Sequence, residues 1–224
     1  MADRPSPRWL LWALLVVAGG SVAWYWVMGE MNGSRQGRNW FEQQVIFFAY
    51  FTILTTTLAA AMAGSLLFGR DGPVHRFFSK TSVQGAVASY ILFVGIGRWT
   101  LLGAPGEGDI TSWVGWVPEL GTHAVAPLLG LMWFLVGVPH GRLTSRDSLW
   151  WLAYPFAYYA FWLAFGWLLV QYPYPFMDFP ALGVVGSITW ALALSVVALV
   201  FAFGFLGLDR ILGRRPTATV GDGS

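Results

Sequence analysis

The sequence predicts an all-α, polytopic membrane protein with six transmembrane helices and both termini in the cytoplasm. Three observations carry that expectation. Of the 224 residues, 56% are apolar in type and only 11% are charged, less than half the charge that a soluble domain uses to solvate its surface. Several apolar runs reach the roughly 18 residues that mark a membrane-crossing helix. The basic residues also fall in alternate connections, as the positive-inside bias requires.

Residues Met1–Pro7 form a short polar start, and Arg8 leads into a first apolar run, about Trp9–Met28. A signal peptide shares this basic start, and Ser21-Val22-Ala23 would offer a small-residue cleavage site. The apolar character continues through Trp24, Tyr25, Trp26 and Val27, so an uncleaved span is expected. Glu30–Arg38 reads as a polar loop, and the second span runs from about Gln44 to Phe68. Arg70–Lys80 is a basic loop before the third span, about Thr81–Leu102, which carries Arg98 near its far end. The long connection Gly103–Glu119 leads to the fourth span, about Leu120–Val138. After Pro139-His140-Gly141-Arg142 comes the fifth span, about Leu149–Val170. The segment Tyr172-Pro173-Tyr174-Pro175-Phe176-Met177-Asp178 reads as a rigid turn, because each proline fixes its own φ and restricts the residue before it. The sixth span is about Ala181–Leu208. Residues 1–215 are expected to form a single membrane domain, followed by a flexible tail over 216–224.

Arg4, Arg8, Arg70, Arg76, Lys80, Arg142, Arg146, Arg210, Arg214 and Arg215 fall on one side of this arrangement, and Arg35, Arg38 and Arg98 on the other. Ten basic residues against three place the termini in the cytoplasm. Glu107, Asp109, Glu119 and Asp178 then lie on the outer side. Tryptophans near span ends, such as Trp40, Trp113, Trp116 and Trp150, suit an interfacial aromatic belt.

Several chemistries are excluded or disfavoured. The chain has no cysteine, so disulfides, thiolate catalysis and zinc–thiolate sites are ruled out. His75, His123 and His140 are too dispersed for a metal cluster, and no metal or organic cofactor is expected. A net charge of +2, scattered over loops, gives no footprint for nucleic acid. The hydrolase Gly-x-Ser-x-Gly elbow, the His-Glu-x-x-His pair and phosphate-binding loops are all missing.

Two residues within spans attract attention. Thr52 lies roughly 12 Å and His123 roughly 6 Å into their helices from the outer side, at 1.5 Å per residue, so contact is geometrically permitted. A histidine inside a span is costly and usually faces the bundle interior or a wet cavity. It can serve as a general base, or simply bond a carbonyl near a helix end. Thr52, Thr55 and Thr56 share one helix face, continued by Ala59, Ala60 and Ala63. Back-bonding of hydroxyls to helix carbonyls and close packing of small residues account for that stripe without chemistry. Arg98 either snorkels to the membrane edge or holds a carboxylate from the outer leaflet. Asp178 is either an ordinary loop acid or the group that orients an imidazole; Glu42 and Glu119 offer the same in weaker form. His75 and His140 read as solvated loop residues.

The segments Phe47-Phe48-Ala49-Tyr50-Phe51-Thr52-Ile53, Thr122-His123-Ala124-Val125-Ala126-Pro127, Pro139-His140-Gly141-Arg142, Trp151-Leu152-Ala153-Tyr154-Pro155 and Tyr172–Asp178 occur in this order. Together they resemble the androgen-induced, FAR-17a-like membrane protein family in its bacterial six-span branch, over roughly Trp9–Arg215. Animal members of that family hydrolyse fatty acid esters of hydroxy fatty acids with an intramembrane threonine and histidine. The resemblance implies Thr52 as nucleophile and His123 as base, with Tyr174-Pro175-Phe176 and Asp178 matching a further motif. It also implies a lipid-like ester as the partner and a location in the cell membrane. Thr55, Thr56 and Arg98 are then candidate oxyanion donors. One departure stands out: bacterial relatives usually continue Phe-Thr-Ile with Gln-Ser-Asn, whereas this chain has Leu54-Thr55-Thr56. The alternative is a non-catalytic membrane protein, either a lipid carrier or a structural partner, in which Thr52 and His123 hold helices together.

Overall fold

The computed structural model describes residues 7–103, 112–169 and 172–214. Arg4, Glu107, Asp109, Arg215 and the tail 216–224 fall outside these ranges. Every regular element among the described residues is helical. Four helices are long and apolar enough to cross a membrane: α1 (Arg8–Arg35), α3 (Phe51–Phe68), the run Trp113–Gly137 and α10 (Phe179–Leu212). Two further helices, α5 (Thr81–Thr100) and α9 (Ala153–Leu169), occupy the third and fifth expected spans. Short helices α2 (Trp40–Phe48), α4 (Pro73–Phe78) and α8 (Ser145–Trp150) lie in the connections.

Helix α1 continues through Glu30, Asn32 and Gly33 to Arg35, where the sequence suggested a polar loop. The expected second span is broken. Tyr50 is extended, at φ −83° and ψ 126°, between α2 and α3, although neither proline nor glycine is present there. The break is supported from outside the segment. The Tyr158 hydroxyl on α9 donates to the Ala49 carbonyl at 2.6 Å and accepts the Phe51 amide at 3.2 Å. The Tyr174 hydroxyl accepts the Thr52 amide at 3.4 Å. Broken helix ends expose amides and carbonyls that need partners, and these two phenols provide them.

The fourth span begins earlier than expected. It comprises α6 (Trp113–Leu120), a π-helical turn (Gly121–Val125) and α7 (Ala126–Gly137). Pro127 has no N–H to offer the His123 carbonyl four residues back, and the widened turn absorbs the defect. The freed carbonyl accepts the Trp99 indole N–H at 3.3 Å. The helix at the expected fifth span starts later than expected: Leu149 belongs to α8, and α9 begins at Ala153. Gly183 bends the first turns of α10, with φ 63° and ψ −176°, a conformation that strongly favours glycine.

Helix α5 packs against α3, α7 and α10, while α1 covers α3 and α7. Their shared core contains Leu10, Leu14, Met62, Ile91, Phe134 and Leu206. Ala59 and Ala63 of the predicted small-residue stripe are fully buried in it. A second, aromatic cluster gathers Phe51, Val94, Tyr159, Trp162, Tyr174 and Met177 beside α9.

His75 and His140, expected to be solvated, are not free in solvent. His75 Nδ1 lies 2.8 Å from the Ser65 carbonyl. His140 Nε2 lies 3.0 Å from the Leu135 carbonyl, and its Nδ1 is 3.5 Å from the carboxylate of Asp209. Asp209 is fully buried and also accepts the Gly141 and Leu143 amides at 3.0 and 2.9 Å. This carboxylate ties the Pro-His-Gly turn to the end of α10, across a sequence separation that gave no local signal.

Candidate functional site

A largely apolar cavity lies between the start of α3, the C-terminal half of α5, α9, the Tyr174–Met177 turn and α10. Its free space, open mouth included, is about 1060 Å³. Phe93, Val94, Leu101, Leu194, Ala198 and Phe201 supply apolar wall, and Thr52, Ser89, Tyr90, Arg98, Tyr158, Tyr174 and Ser195 add polar groups. From Ser89 to Arg98 the cavity follows roughly 14 Å of α5, taking 1.5 Å per residue. An elongated apolar space with a few converging polar groups is the usual form of a small-molecule site.

Thr52 borders this cavity, half-buried, on the first turn of α3. Its hydroxyl lies 3.4 Å from the Tyr174 hydroxyl. Burial pushes the Tyr174 phenol above the ordinary tyrosine value, although hydrogen bonds with Thr52 pull the other way. Tyr174 is therefore an O–H donor near neutral pH, not a base. Its ring stacks on Phe176, with centroids 4.9 Å apart, which fixes the position of the hydroxyl.

His123 has a different setting. It is buried in the π turn, and it is not among the residues lining the cavity. Its Nδ1 is 3.3 Å from Glu119 Oε1 and 3.2 Å from the Glu119 carbonyl. Donation from Nδ1 leaves Nε2 as the basic position of the ring. Among the described residues, no hydrogen bond joins Thr52 to His123.

The carboxylate of Glu119 is the centre of a buried polar cluster. It accepts Arg98 Nε at 2.6 Å and the Tyr25 hydroxyl at 2.8 Å, in addition to facing His123. Arg98 also donates through Nη1 to the Gly103 carbonyl. Arg98 itself reaches the cavity wall, so the ionic cluster and the cavity share one residue. The structure thus brings Thr52 and Arg98 to one cavity, while His123 meets the Glu119 oxygen that also pairs with Arg98 and does not line that cavity.

The remaining predicted residues take simpler positions. The Thr55 hydroxyl is 3.2 Å from the Tyr154 hydroxyl. The Thr56 hydroxyl is buried without a partner among the described residues, so the back-bonding expected of this stripe is not seen there. Asp178 caps α10 by accepting the Ala181 amide at 3.1 Å. Glu42 completes a reciprocal cap with Asn39 at the start of α2.

Sequence reasoning gave no role to Tyr154 or Tyr158, and it ranked Glu119 low. Signals for all three were present. Tyr154 and Tyr158 recur at i and i+4 in an apolar helix, which puts two phenols on one face. Glu119 precedes His123 by four residues, again one helical turn. Comparison of the chain with protein-family models, curated proteins and solved structures gives no match.

Proposed function

We propose that the protein binds a lipid-like ester within the membrane, with an acyl chain in the cavity and the ester carbonyl beside Thr52 and Tyr174. The single observation that carries this is the placement of those two hydroxyls on the wall of an otherwise apolar, elongated cavity. An ester carbonyl needs donors, and the protonated Tyr174 phenol is one. The acyl chain needs apolar surface, and α5, α9 and α10 offer it. In this proposal α5 and α9 also cross the membrane, so that six spans place both termini in the cytoplasm of a cell-membrane protein.

Hydrolysis at Thr52 is the second reading, supported by the way Glu119 orients His123 through Nδ1. The Thr52 oxygen would bond to the carbonyl carbon, with its proton passing to His123 Nε2 and the oxyanion taking the Tyr174 hydrogen bond. Collapse would break the ester C–O bond, and the imidazolium would protonate the leaving alkoxide. Water would then release the acid from the acyl-threonine. This chemistry requires His123 to reach Thr52. Kinship with the FAR-17a-like family belongs to the same proposal and rests on the motif order alone.

One experiment tests both readings. Purified protein in detergent is given a radiolabelled long-chain ester panel, and bound ester and released acid are measured. Binding that weakens in Ala198→Phe, which fills the cavity, supports the binding site. Acid release abolished in Thr52→Val and in His123→Gln supports hydrolysis. Retained ester binding without acid release leaves the first reading and removes the second. Binding unaffected by Ala198→Phe removes the cavity from the account.

A further inference from the structure

The cavity has a second polar position besides Thr52 and Tyr174. At its outer end the Arg98 guanidinium is held from behind: Nε donates to Glu119 at 2.6 Å, and Nη1 donates to the Gly103 carbonyl. Nη2 has no partner among the described residues. A guanidinium carries five N–H donors in a fixed planar fork, and here two of its three nitrogens are used in fixing it. The Glu119 carboxylate that holds it is itself pinned by Tyr25 and His123, so the fork does not depend on its ligand for orientation. Snorkelling alone does not require this. A snorkelling arginine turns its head to the headgroup region, whereas this one is anchored to a buried acid, and its side chain is only 17% exposed. Arg98 lines the cavity, and donors left over there are expensive within a membrane unless something accepts them.

We propose that Arg98 makes the cavity selective for single-chain lipids with an anionic head, a carboxylate or a monophosphate, bound at the outer end with the chain directed towards Phe201. The proposal rests on the cavity holding an acyl chain. It adds the charge of the molecule that enters and the residue that reads it, and it holds whether or not Thr52 cleaves an ester. Glu119 is the positioning residue: it touches Arg98, not the ligand. Because Glu119 already balances the charge of Arg98, the anion is held chiefly by directed hydrogen bonds rather than by net charge. Flexible point-charge recognition would tolerate lysine, but a fork held at Nε does not.

The test is equilibrium binding of radiolabelled hexadecanoate, hexadecyl phosphate, hexadecanol and hexadecyltrimethylammonium to the purified full-length protein in neutral detergent. It uses wild type, Arg98→Lys, the double variant Arg98→Gln/Glu119→Gln and Ala198→Phe. The double variant removes both charges together, so no buried charge is left unpaired. Thermal melting confirms that each variant is folded. Wild type should prefer at least one anion over the alcohol by about tenfold or more, the scale of a charge-assisted hydrogen bond. The better-bound anion identifies the headgroup. Arg98→Lys and the double variant should bind the anion and the alcohol alike, while Ala198→Phe should weaken both. Equal binding of anions and alcohol by wild type overturns the proposal but leaves the acyl cavity standing, as does a preference that survives in the double variant. No chain-dependent binding, or binding indifferent to Ala198→Phe, overturns the cavity and the selectivity together.

Discussion

Removing Glu119 should be among the most disruptive single changes in this protein, and removing Arg98 with it should restore most of the loss. The Glu119 and Arg98 side chains are 7% and 17% exposed and sit 2.6 Å apart. Glu119→Leu leaves the guanidinium unpaired at the edge of an apolar cavity, and Arg98→Met leaves the carboxylate with only Tyr25 and His123. Breaking a buried ion pair from one side costs about 3–5 kcal/mol, whereas replacing both partners with apolar residues is often close to neutral. The double variant also frees the Tyr25 hydroxyl, a loss of about 1 kcal/mol. The two single effects should therefore not add, and a coupling energy of at least ~2 kcal/mol is expected from a double-mutant cycle. Equilibrium unfolding of the four proteins in mixed micelles, titrated with a denaturing detergent and followed by tryptophan fluorescence, measures it. Additive single effects would mean that the pair is not an energetic unit, and the account of the polar cluster would fail.

Three further predictions concern other parts of the fold. Tyr158→Phe removes the hydroxyl that serves both the Ala49 carbonyl and the Phe51 amide. It should destabilise the protein by roughly 1–3 kcal/mol in the same unfolding assay, with α2–α3 amides showing faster hydrogen exchange. Gly95→Ala would place a methyl 2.7 Å from Pro127 Cγ and 2.9 Å from the His123 carbonyl. The expected cost is about 1–3 kcal/mol for overpacking, and a neutral effect would show that α5 and the π turn are not in close contact. Asp147 caps α8 with Thr144. Partial burial disfavours its charge, but hydrogen bonds from Thr144 and Ser82 outweigh this and hold the carboxyl below the usual aspartate range. Its stabilising contribution should be complete above the unfolded-state value of about 3.9 and disappear as pH falls through the lower folded value. Asp147→Asn should flatten that part of the pH–stability curve.

The helical class was legible because apolar runs of membrane length leave few other folds open. The break at Tyr50 was not, because nothing in Phe48-Ala49-Tyr50-Phe51 interrupts a helix locally. The partners that stabilise the break come from Tyr158 and Tyr174, more than a hundred residues away. The π turn was partly legible: Pro127, four residues after His123, removes a helical hydrogen bond whatever the fold. The end of α1 was misread because Glu30, Asn32 and Gly33 have loop-like composition, yet the helix carries them to Arg35. At the site, helix spacing correctly grouped Thr52, Thr55 and Thr56 on one face. It could not tell that Thr55 meets Tyr154 while Thr52 meets Tyr174, since both contacts depend on where α9 and the Tyr-Pro turn dock. Arg98 was singled out from sequence, and its anchoring by Glu119 was the part that required coordinates.

Where an acyl chain resides is the most direct test of the central claim. A long-chain ester with a photoreactive group along its chain can be equilibrated with the membrane-embedded protein, irradiated, and mapped by peptide mass spectrometry. The account predicts labels on cavity residues such as Phe93, Val94, Ala198 and Phe201, suppressed by excess unlabelled ester and by Ala198→Phe. Unsuppressed labels confined to the exposed apolar face of α10, at Val185, Leu192 and Val196, would contradict it, showing only lipid solvating the outside of the bundle.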